Sequence, residues 1–204
     1  MSQPPPPTWT KPPRAFVVAG GRSTRMGQDK ALLPYAGTTL LSHAISKLRE
    51  VTQDVHILCG PARRYEGLGT PVVEDAICGV GPLGGLYSAL VAAQTDGVDR
   101  IVWVAVDVPL VPPSLLTGLL AELDQAEVAI ARTSQGLEPL CGAFRTMATL
   151  ECVQRALVEG RLKLTSALEG LNIHVVDADS TSFVNVNSLS EYRQLTQYER
   201  WRKE

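Results

Sequence analysis

The chain has 204 residues, of which 45% are hydrophobic and 20% are charged, and this balance is typical of a globular protein. Its formal net charge of −2 excludes binding to nucleic acid through overall charge, so any anion-binding site must be local. No stretch is long and apolar enough to cross a membrane, so neither a membrane protein nor a membrane partner is expected.

The first 13 residues contain many prolines and no apolar core of the kind that signal peptides carry. They predict a disordered or polyproline tail on a cytoplasmic protein. The four cysteines are widely spaced, which is typical of reduced thiols in the cytosol. Because the composition does not shift between residues 14 and 204, a single domain is expected there.

Apolar runs alternate with helical patterns along the rest of the chain. Strands are predicted at residues 15–19, 54–59, 71–75, 100–107, 126–132, 139–145 and 172–178. Helices are predicted at residues 38–51, 81–94, 114–123, 147–159 and 163–169, and a last helix begins at a Ser188/Glu191 capping box. This alternation predicts an α/β fold, a three-layer sandwich with a Rossmann-like, mostly parallel sheet covered by helices on both faces. Ligands bind beyond the carboxyl ends of such strands, so the loops after Ala19, Asp75 and Asp107 should share one crevice.

The first predicted strand runs into a glycine-rich basic loop, AGGRSTRMGQDKALL, at residues 19–33. Gly20 and Gly21 remove side chains where backbone must approach a ligand, and the backbone N–H groups there can surround phosphate oxygens. Arg25 and Lys30 add positive charges, and an arginine can bind a phosphate through two hydrogen bonds. The loop therefore predicts a phosphate-binding site; the alternative is a glycine turn with solvated arginines.

Two aspartates follow predicted strands that end at this edge of the sheet. Asp107 ends a strongly apolar strand, where a carboxylate is costly to bury unless it binds something. Mg²⁺ commonly takes one or two carboxylates together with phosphate oxygens, so Asp107 is a candidate metal ligand, with capping of the next turn as the alternative. Asp75 follows a shorter strand, and it either shares the crevice or opens a turn.

A second glycine pattern, at residues 79–84, fits G-x-G-x-x-G, follows a predicted strand and opens a predicted helix. With Asp107 as the ribose-binding acid, it would indicate an NAD-binding dehydrogenase. That interpretation ranks second, because three residues separate Asp75 from Gly79 and the basic loop would have no role. The basic loop is not a Walker A motif either, since it contains no Gly-Lys-Ser/Thr sequence.

The segment FVNVN, at residues 183–187, precedes the capping box of the last helix. Asn185 and Asn187 lie two residues apart on an extended segment, which points both side chains the same way. Their side-chain amides can both donate and accept hydrogen bonds, which fits binding to the edge of a heterocycle or to a sugar. The alternative is that the asparagines stabilise a turn or cap the helix.

Five segments together resemble nucleotidyltransferases that act on molybdopterin, and most of all the molybdenum cofactor guanylyltransferase family. VAGGRSTRMGQDKALL is similar to the LAGGxSxRMGxDKALL signature of that family, and EDAICGVGPLGGL is similar to its acidic-then-GPLaG segment. VAVDVPLVP resembles its metal-binding Asp-x-Pro motif, EPLCGAFR its PL-x-x-x-[YF]-R segment, and FVNVNSLSEY its F-x-N-x-N-[ST]-x-x-[DE] ending. The resemblance runs from Phe16 to Tyr192 in family order.

This resemblance implies a nucleotide-diphospho-sugar transferase-like fold and transfer of GMP from GTP to molybdopterin with release of pyrophosphate. It implies Mg²⁺ as the cofactor, GTP and molybdopterin as substrates, and molybdoenzyme apoproteins or other cofactor-biosynthesis proteins as candidate partners. The implied catalytic residues are Arg25, Lys30 and Asp107, of which Asp107 also binds the metal. The implied nucleotide-binding residues are Val18, Ala19, Gly20, Gly21, Lys30, Asp75 and Asp107, and the implied molybdopterin-binding residues are Asn185 and Asn187.

Several alternatives stay open within and beyond this class. Val108 stands where the cytidylyltransferase branch often has glutamine, which weakens a CTP-dependent reaction without excluding it, and a sugar-phosphate nucleotidyltransferase is a related alternative. A degenerate nucleotide-binding module is another, although the retained Lys30 and Asp107 argue against it. Selectivity for the nucleotide base is expected to come from backbone contacts near Gly20 and from the loop at residues 59–61.

Overall fold

The computed structural model describes residues 8–20 and 28–201, with side chains as far as residue 197. Its strands are β1 (Arg14–Val18), β2 (Pro34–Tyr35), β3 (Thr38–Thr39), β4 (Val55–Leu58), β5 (Val72–Val73), β6 (Arg100–Ala105), β7 (Val128–Thr133), β8 (Gly136–Arg145) and β9 (Ile173–Asp177). Its α-helices are α1 (Leu40–Arg49), α2 (Pro82–Thr95), α3 (Pro113–Glu122), α4 (Thr146–Val158), α5 (Leu164–Ala167) and α6 (Leu189–Trp201). Short 3₁₀ helices occur at Lys30–Leu32 and Ser180–Phe183. Within the described residues, no helix is both long and apolar enough to cross a membrane.

Seven strands form one sheet in the order β5-β4-β1-β6-β8-β7-β9, and β2 pairs with β3 in a separate ribbon. β1 is parallel to β4 and β6, β4 is parallel to β5, and β7 is parallel to β9. β8 is antiparallel to both of its neighbours. It reverses because only Ser134 and Gln135 connect it to β7, and a two-residue connection permits only an antiparallel hairpin. The predicted mostly parallel α/β sheet is confirmed.

Alternate residues of β1 belong to two different cores. Ala15 and Val17 pack in the core that also contains apolar residues of α1 and α3, whereas Phe16 packs in the core that contains those of α2 and α4. The helices therefore cover both faces of the sheet, and the molecule is a three-layer sandwich. Burial on both faces explains why this strand is a continuous apolar run rather than an alternating one.

Each strand and helix predicted from the sequence is present, but some boundaries differ. The helix predicted at residues 163–169 is only the single turn α5, and β8 begins three residues before its predicted start. The ribbon of β2 and β3 was not predicted, because two-residue strands carry too little periodicity to stand out.

Residues 8–13, within the segment expected to be a disordered tail, pack against the amino ends of the strands. The Trp9 indole N–H donates to the Asp124 carboxylate at 2.8 Å. The Arg100 guanidinium carbon lies 4.4 Å from the centre of the Trp9 ring, which is a cation–π geometry. These contacts hold this part of the segment against the sheet, and residues 1–7 lie outside the described residues.

A second group of contacts at the same edge surrounds Arg14, the first residue of β1. The Arg14 side chain is only 7% exposed, and it binds Asp54 at 2.8 Å and Asp96 at 2.7 Å. Asp54 also accepts a hydrogen bond from His56 at 2.8 Å. We refer to Arg14, Asp54, His56 and Asp96 as the amino-edge network.

Candidate functional site

The carboxyl ends of β5, β4, β1 and β6 lie side by side at one edge of the sheet, because these four strands are parallel neighbours. The hydrogen bonding of the sheet continues past the strand ends, since the Ala19 N–H donates to the Leu58 carbonyl at 2.8 Å. On the other side, the Val106 N–H donates to the Val18 carbonyl at 3.1 Å. The three loops that the sequence assigned to one crevice therefore leave the sheet at the same edge.

The start of the basic loop lies directly against the loop that follows β4. A Cβ atom placed on Gly20 would lie 3.0 Å from both the Cα and the N of Gly60. A Cβ on Gly60 would lie 2.8 Å from the Gly20 carbonyl oxygen, and Gly60 also has a φ of +80°. Neither position accepts a larger residue without a backbone shift, so this part of the edge is bare backbone. Gly21 and Arg25, two of the predicted phosphate-binding residues, lie outside the described residues.

The 3₁₀ turn at Lys30–Leu32 brings the lysine of the basic loop to the end of β6. The Lys30 ammonium forms an ion pair with Asp107 and donates to the side-chain oxygen of Asn187 at 3.3 Å. The Lys30 and Asp107 side chains are 16% and 15% exposed, so the pair is mostly buried but still accessible to a ligand. Three predicted site residues from distant parts of the chain thus meet at one point.

The loop that carries Asp107 is held from two sides. The Asp107 carbonyl accepts a hydrogen bond from the Val186 N–H at 2.9 Å, which joins it to the segment before α6. Two residues further on, the Pro109 carbonyl accepts a hydrogen bond from the Lys47 ammonium of α1 at 2.6 Å. Burial lowers the pKa of Lys47 to about 8. Asp107 therefore sits on a fixed backbone rather than on a free loop.

Asp75 lies at the same edge but in a different electrostatic setting. Its backbone N–H donates to the Gly60 carbonyl at 2.9 Å, which places it beside the bare backbone described above. Burial raises the pKa of the Asp75 carboxyl above its usual value. Among the described residues, its carboxylate has no hydrogen-bond or ion-pair partner, so it is available to a ligand.

The two predicted asparagines differ in their contacts. The Asn187 side-chain oxygen accepts a hydrogen bond from Lys30, whereas the Asn185 amide donates to the Phe183 carbonyl at 3.4 Å and to no other group among the described residues. Val186 between them is fully buried while both asparagines are exposed, so the two side chains face away from the core as their spacing predicts. The structure brings Asn187 to Lys30 but gives Asn185 no contact with that group.

The predicted capping box at the start of α6 is present. The Glu191 N–H donates to the Ser188 hydroxyl at 3.2 Å, and the Glu191 carboxylate accepts the Asn187 N–H at 2.8 Å. The bond that the carboxylate accepts from the Asn187 N–H, followed by one from the Ser188 hydroxyl at 3.0 Å, holds the pKa of Glu191 below its usual value. The cap therefore fixes the backbone that presents Asn187 to Lys30.

Sequence reasoning missed a cluster at the far end of the basic loop. Asp29 accepts hydrogen bonds from Arg64 at 3.0 Å and from the Tyr65 hydroxyl at 2.7 Å. We refer to Asp29, Arg64 and Tyr65 as the Asp29 clasp. Asp29 could have been recognised as the N-cap of a turn, but no local pattern marks the other two residues.

The second glycine pattern has a packing explanation. A Cβ atom on Gly84 would lie 2.5 Å from the Ile77 carbonyl oxygen, so close backbone packing at the start of α2 requires a glycine there. Five residues separate the end of β5 at Val73 from Gly79, so these glycines do not open directly from a strand. The arrangement argues against the dinucleotide-binding interpretation.

The sheet of this α/β protein therefore carries bare backbone, a lysine and aspartates at the carboxyl edge of its parallel strands. Solved structures share the fold: the molybdopterin-guanine dinucleotide biosynthesis protein A from Archaeoglobus fulgidus superposes with a TM-score of 0.74 at 23% identity, covering 91% of this chain and 97% of that one. A Mycobacterium tuberculosis protein solved in complex with manganese gives a TM-score of 0.64 at 20% identity, covering 92% and 99%.

Residues 15–176 match the family described as the MobA-like NTP transferase domain, and the chain belongs to this family. A curated relative from Mycobacterium tuberculosis, named a probable molybdenum cofactor guanylyltransferase, is 31% identical over 182 residues, covering 88% of this chain and 90% of its own length. The resemblance seen in the sequence motifs is therefore confirmed. Membership of this family also argues against the dehydrogenase alternative.

Proposed function

We propose that the protein transfers GMP from GTP to molybdopterin and releases pyrophosphate. The contact of the Lys30 ammonium with Asp107 and Asn187 carries this proposal, because it unites the residues expected to bind triphosphate, metal and acceptor. The names of the curated relatives support the same reaction. The paired charges suit a reaction in which the protein mainly positions substrates and neutralises developing charge.

The nucleotide would lie along the ends of β1 and β4. Val18, Ala19 and Gly20 would line it, and Gly20 in particular offers backbone groups with no side chain in the way. Gly21 and Arg25 would contact the phosphates. Lys30 would exchange its carboxylate partner for the triphosphate, and Asp75 would accept a hydrogen bond from the nucleoside.

Mg²⁺ is the proposed metal, and the residues present fit an ion that arrives with the nucleotide. Among the described residues, no group of three or more histidine, cysteine, aspartate or glutamate side chains could hold a metal alone. Asp107 supplies a single hard oxygen ligand, and Mg²⁺ is commonly held by one or two carboxylates together with substrate phosphates. Bound there, Mg²⁺ would neutralise charge on the triphosphate.

The chemical step joins the two substrates through phosphorus. An oxygen of the terminal phosphate of molybdopterin forms a bond to the α-phosphorus of GTP, and the bond from that phosphorus to the bridging oxygen breaks. The bridging oxygen keeps the electron pair and leaves as part of pyrophosphate. Lys30 and Arg25 would stabilise the negative charge that builds on this leaving group.

The acceptor would bind on the side of the crevice formed by residues 183–187. Asn187 reaches the Lys30 ammonium, so an acceptor held by Asn185 and Asn187 would approach the phosphates from this side. Molybdoenzyme apoproteins or other proteins of cofactor biosynthesis are proposed as partners that take up the product. A cytoplasmic location is proposed as well, in keeping with four free cysteine thiols.

The test is pyrophosphate release with molybdopterin and Mg²⁺, supplied in turn with GTP, CTP, ATP and UTP. We expect turnover with GTP alone. Turnover with CTP alone would replace guanylyl by cytidylyl transfer and leave the site assignment in place. Absence of turnover with every nucleotide, in a protein shown to be folded by circular dichroism, would refute the proposed reaction.

A further inference from the structure

The Asp29 clasp joins both ends of the basic loop. One nitrogen of the Arg64 guanidinium binds Asp29, at the end of the loop, and another donates to the Ala19 carbonyl, at its start, at 3.2 Å. The second nitrogen also donates to the Cys59 carbonyl at the end of β4, at 2.9 Å. A single side chain therefore links the two ends of the loop to each other and to the neighbouring strand.

The clasp acts on Lys30 through the backbone. One carboxylate oxygen of Asp29 accepts the Ala31 N–H at 3.1 Å and so caps the 3₁₀ turn that begins at Lys30. The other oxygen is the one that Arg64 and Tyr65 bind. Asp29 thus caps the turn with one oxygen and binds Arg64 and Tyr65 with the other. Because the same carboxylate makes both sets of bonds, a movement of Arg64 or Tyr65 would move the turn and with it Lys30.

The clasp is built at some conformational cost. Tyr65 has a φ of +68°, a left-handed conformation that is unusual for a bulky residue, and such outliers cluster at functional sites. Its ring lies 5.1 Å from the Arg64 guanidinium carbon. Burial, followed by the hydrogen bond to Asp29, raises the pKa of Tyr65.

Arg63, the residue directly before Arg64, has a different environment. The Arg63 side chain is 57% exposed and forms surface ion pairs with Glu66 and Glu74. Arg64 is 32% exposed, and its partner Asp29 is 23% exposed. The two arginines therefore carry the same charge, but Arg64 binds Asp29 whereas Arg63 binds surface glutamates. Arg63 is the matched control for that reason.

We propose that Arg64 and Tyr65 are positioning residues that act through Asp29 to fix the turn that places Lys30 beside Asp107. The part of this inference that concerns catalysis rests on the proposed function. The part that concerns the turn does not, because it can be measured without any substrate.

The first measurement is hydrogen exchange of the Ala31 and Leu33 amides in substrate-free Arg64→Met, Tyr65→Phe and Arg63→Met variants. In Arg64→Met we expect the Ala31 amide to exchange about tenfold faster or more, since it loses its fixed acceptor. Tyr65→Phe should show a smaller increase, and Arg63→Met none. Equal exchange in all three variants and the unmodified protein would overturn the proposal.

The second measurement is the kcat and KM for GTP in the pyrophosphate-release assay. Arg64→Met should lower kcat about 10- to 100-fold with KM changed less than about threefold, since a small displacement of Lys30 impairs charge stabilisation in the transition state. Arg64→Met combined with Asp29→Asn should be no worse than the worse single variant, because both break the same contact.

Other outcomes separate the proposals from one another. A loss of activity that only follows the fraction of folded protein, with exchange raised equally along the whole chain, would overturn the positioning role. Absence of turnover in the unmodified protein would refute the proposed reaction. The exchange measurement would still decide whether the clasp holds the turn.

Discussion

The two edges of the sheet carry similar charged groups in different arrangements. At the amino edge, the Arg14 guanidinium binds two carboxylates, and Arg100 covers the ring of Trp9. At the carboxyl edge, the Asp75 carboxylate has no partner among the described residues, and Gly20 presents bare backbone. Charge alone therefore does not distinguish the two edges. Lys30 and Asp107 pair with each other at the carboxyl edge as well, so the two edges differ in the unpartnered Asp75 carboxylate and in the bare backbone at Gly20.

The largest expected effect tests this contrast on a single strand, since Asp99 and Asp107 flank β6 at opposite ends. Asp107→Asn should lower kcat/KM for GTP by at least about 100-fold, because the carboxylate proposed to bind metal is lost. Asp99→Asn, the matched control, should leave kcat/KM within about twofold. Pyrophosphate release and thermal unfolding measured on both variants provide the check. Similar losses of activity in the two variants would remove the distinction between the edges.

The next effect concerns stability at the amino edge. Arg14→Met should lower the free energy of unfolding by about 1–2 kcal/mol, because the buried guanidinium also donates to the Ala92 carbonyl, whereas its carboxylate partners are partly exposed and solvent screens their loss. The surface pair of Arg132 and Asp177, with side chains 51% and 77% exposed, supplies the control. Arg132→Met should cost less than about 0.5 kcal/mol. Urea unfolding compares the two variants, and equal costs would show that the amino-edge network is no more than a set of surface pairs.

A smaller effect should appear as a pH dependence of stability. Burial, followed by the nearby Arg14 charge, lowers the pKa of His56 below its ordinary value of 6.5. The folded protein therefore binds this proton less readily than the unfolded chain does, so stability should fall as the pH drops through and below 6.5. Urea unfolding between pH 5 and pH 7.5 tests this. His56→Gln should flatten the slope in that range, and an unchanged slope would show that other groups produce it.

The smallest effect has the opposite sign from the one at Arg14. Because the pKa of Asp75 is raised by burial, its charge opposes folding at neutral pH, and Asp75→Asn should stabilise the protein by less than about 0.5 kcal/mol. The same variant should bind GTP several-fold more weakly, as measured by calorimetry with Mg²⁺. A gain in stability with unchanged nucleotide affinity would place Asp75 outside the site.

The parts of the site that could be predicted lie where strand geometry decides the outcome. Lys30 and Asp107 were predicted as site residues because a basic glycine loop follows one apolar strand and Asp107 follows another, and parallel strands bring such ends to one edge. The contact between Lys30 and Asn187 could not be placed in the same way. It depends on how the chain returns to this edge after β9, which no local pattern specifies.

Arg64 and Tyr65 could not be predicted at all from the sequence. Their role depends on a loop whose path includes a positive φ at a tyrosine, which no sequence pattern predicts. The docking of Trp9 could not be predicted for a different reason. The proline-rich composition around it indicates a tail, whereas the contact depends on Arg100, which lies far along the chain. In both cases the deciding interaction lies between residues that are distant in sequence, where local propensity carries no information.

The separation of 157 positions between Lys30 and Asn187 has a consequence for protein synthesis. Lys30 leaves the ribosome early, whereas Asn187 follows only after β9, the last strand of the sheet, has been translated. A chain released after residue 180 would contain every strand but would lack the Val186 N–H that holds Asp107 and the amide that meets Lys30. The crevice is therefore completed among the last steps of translation, and a prematurely terminated chain could keep the sheet without a finished site.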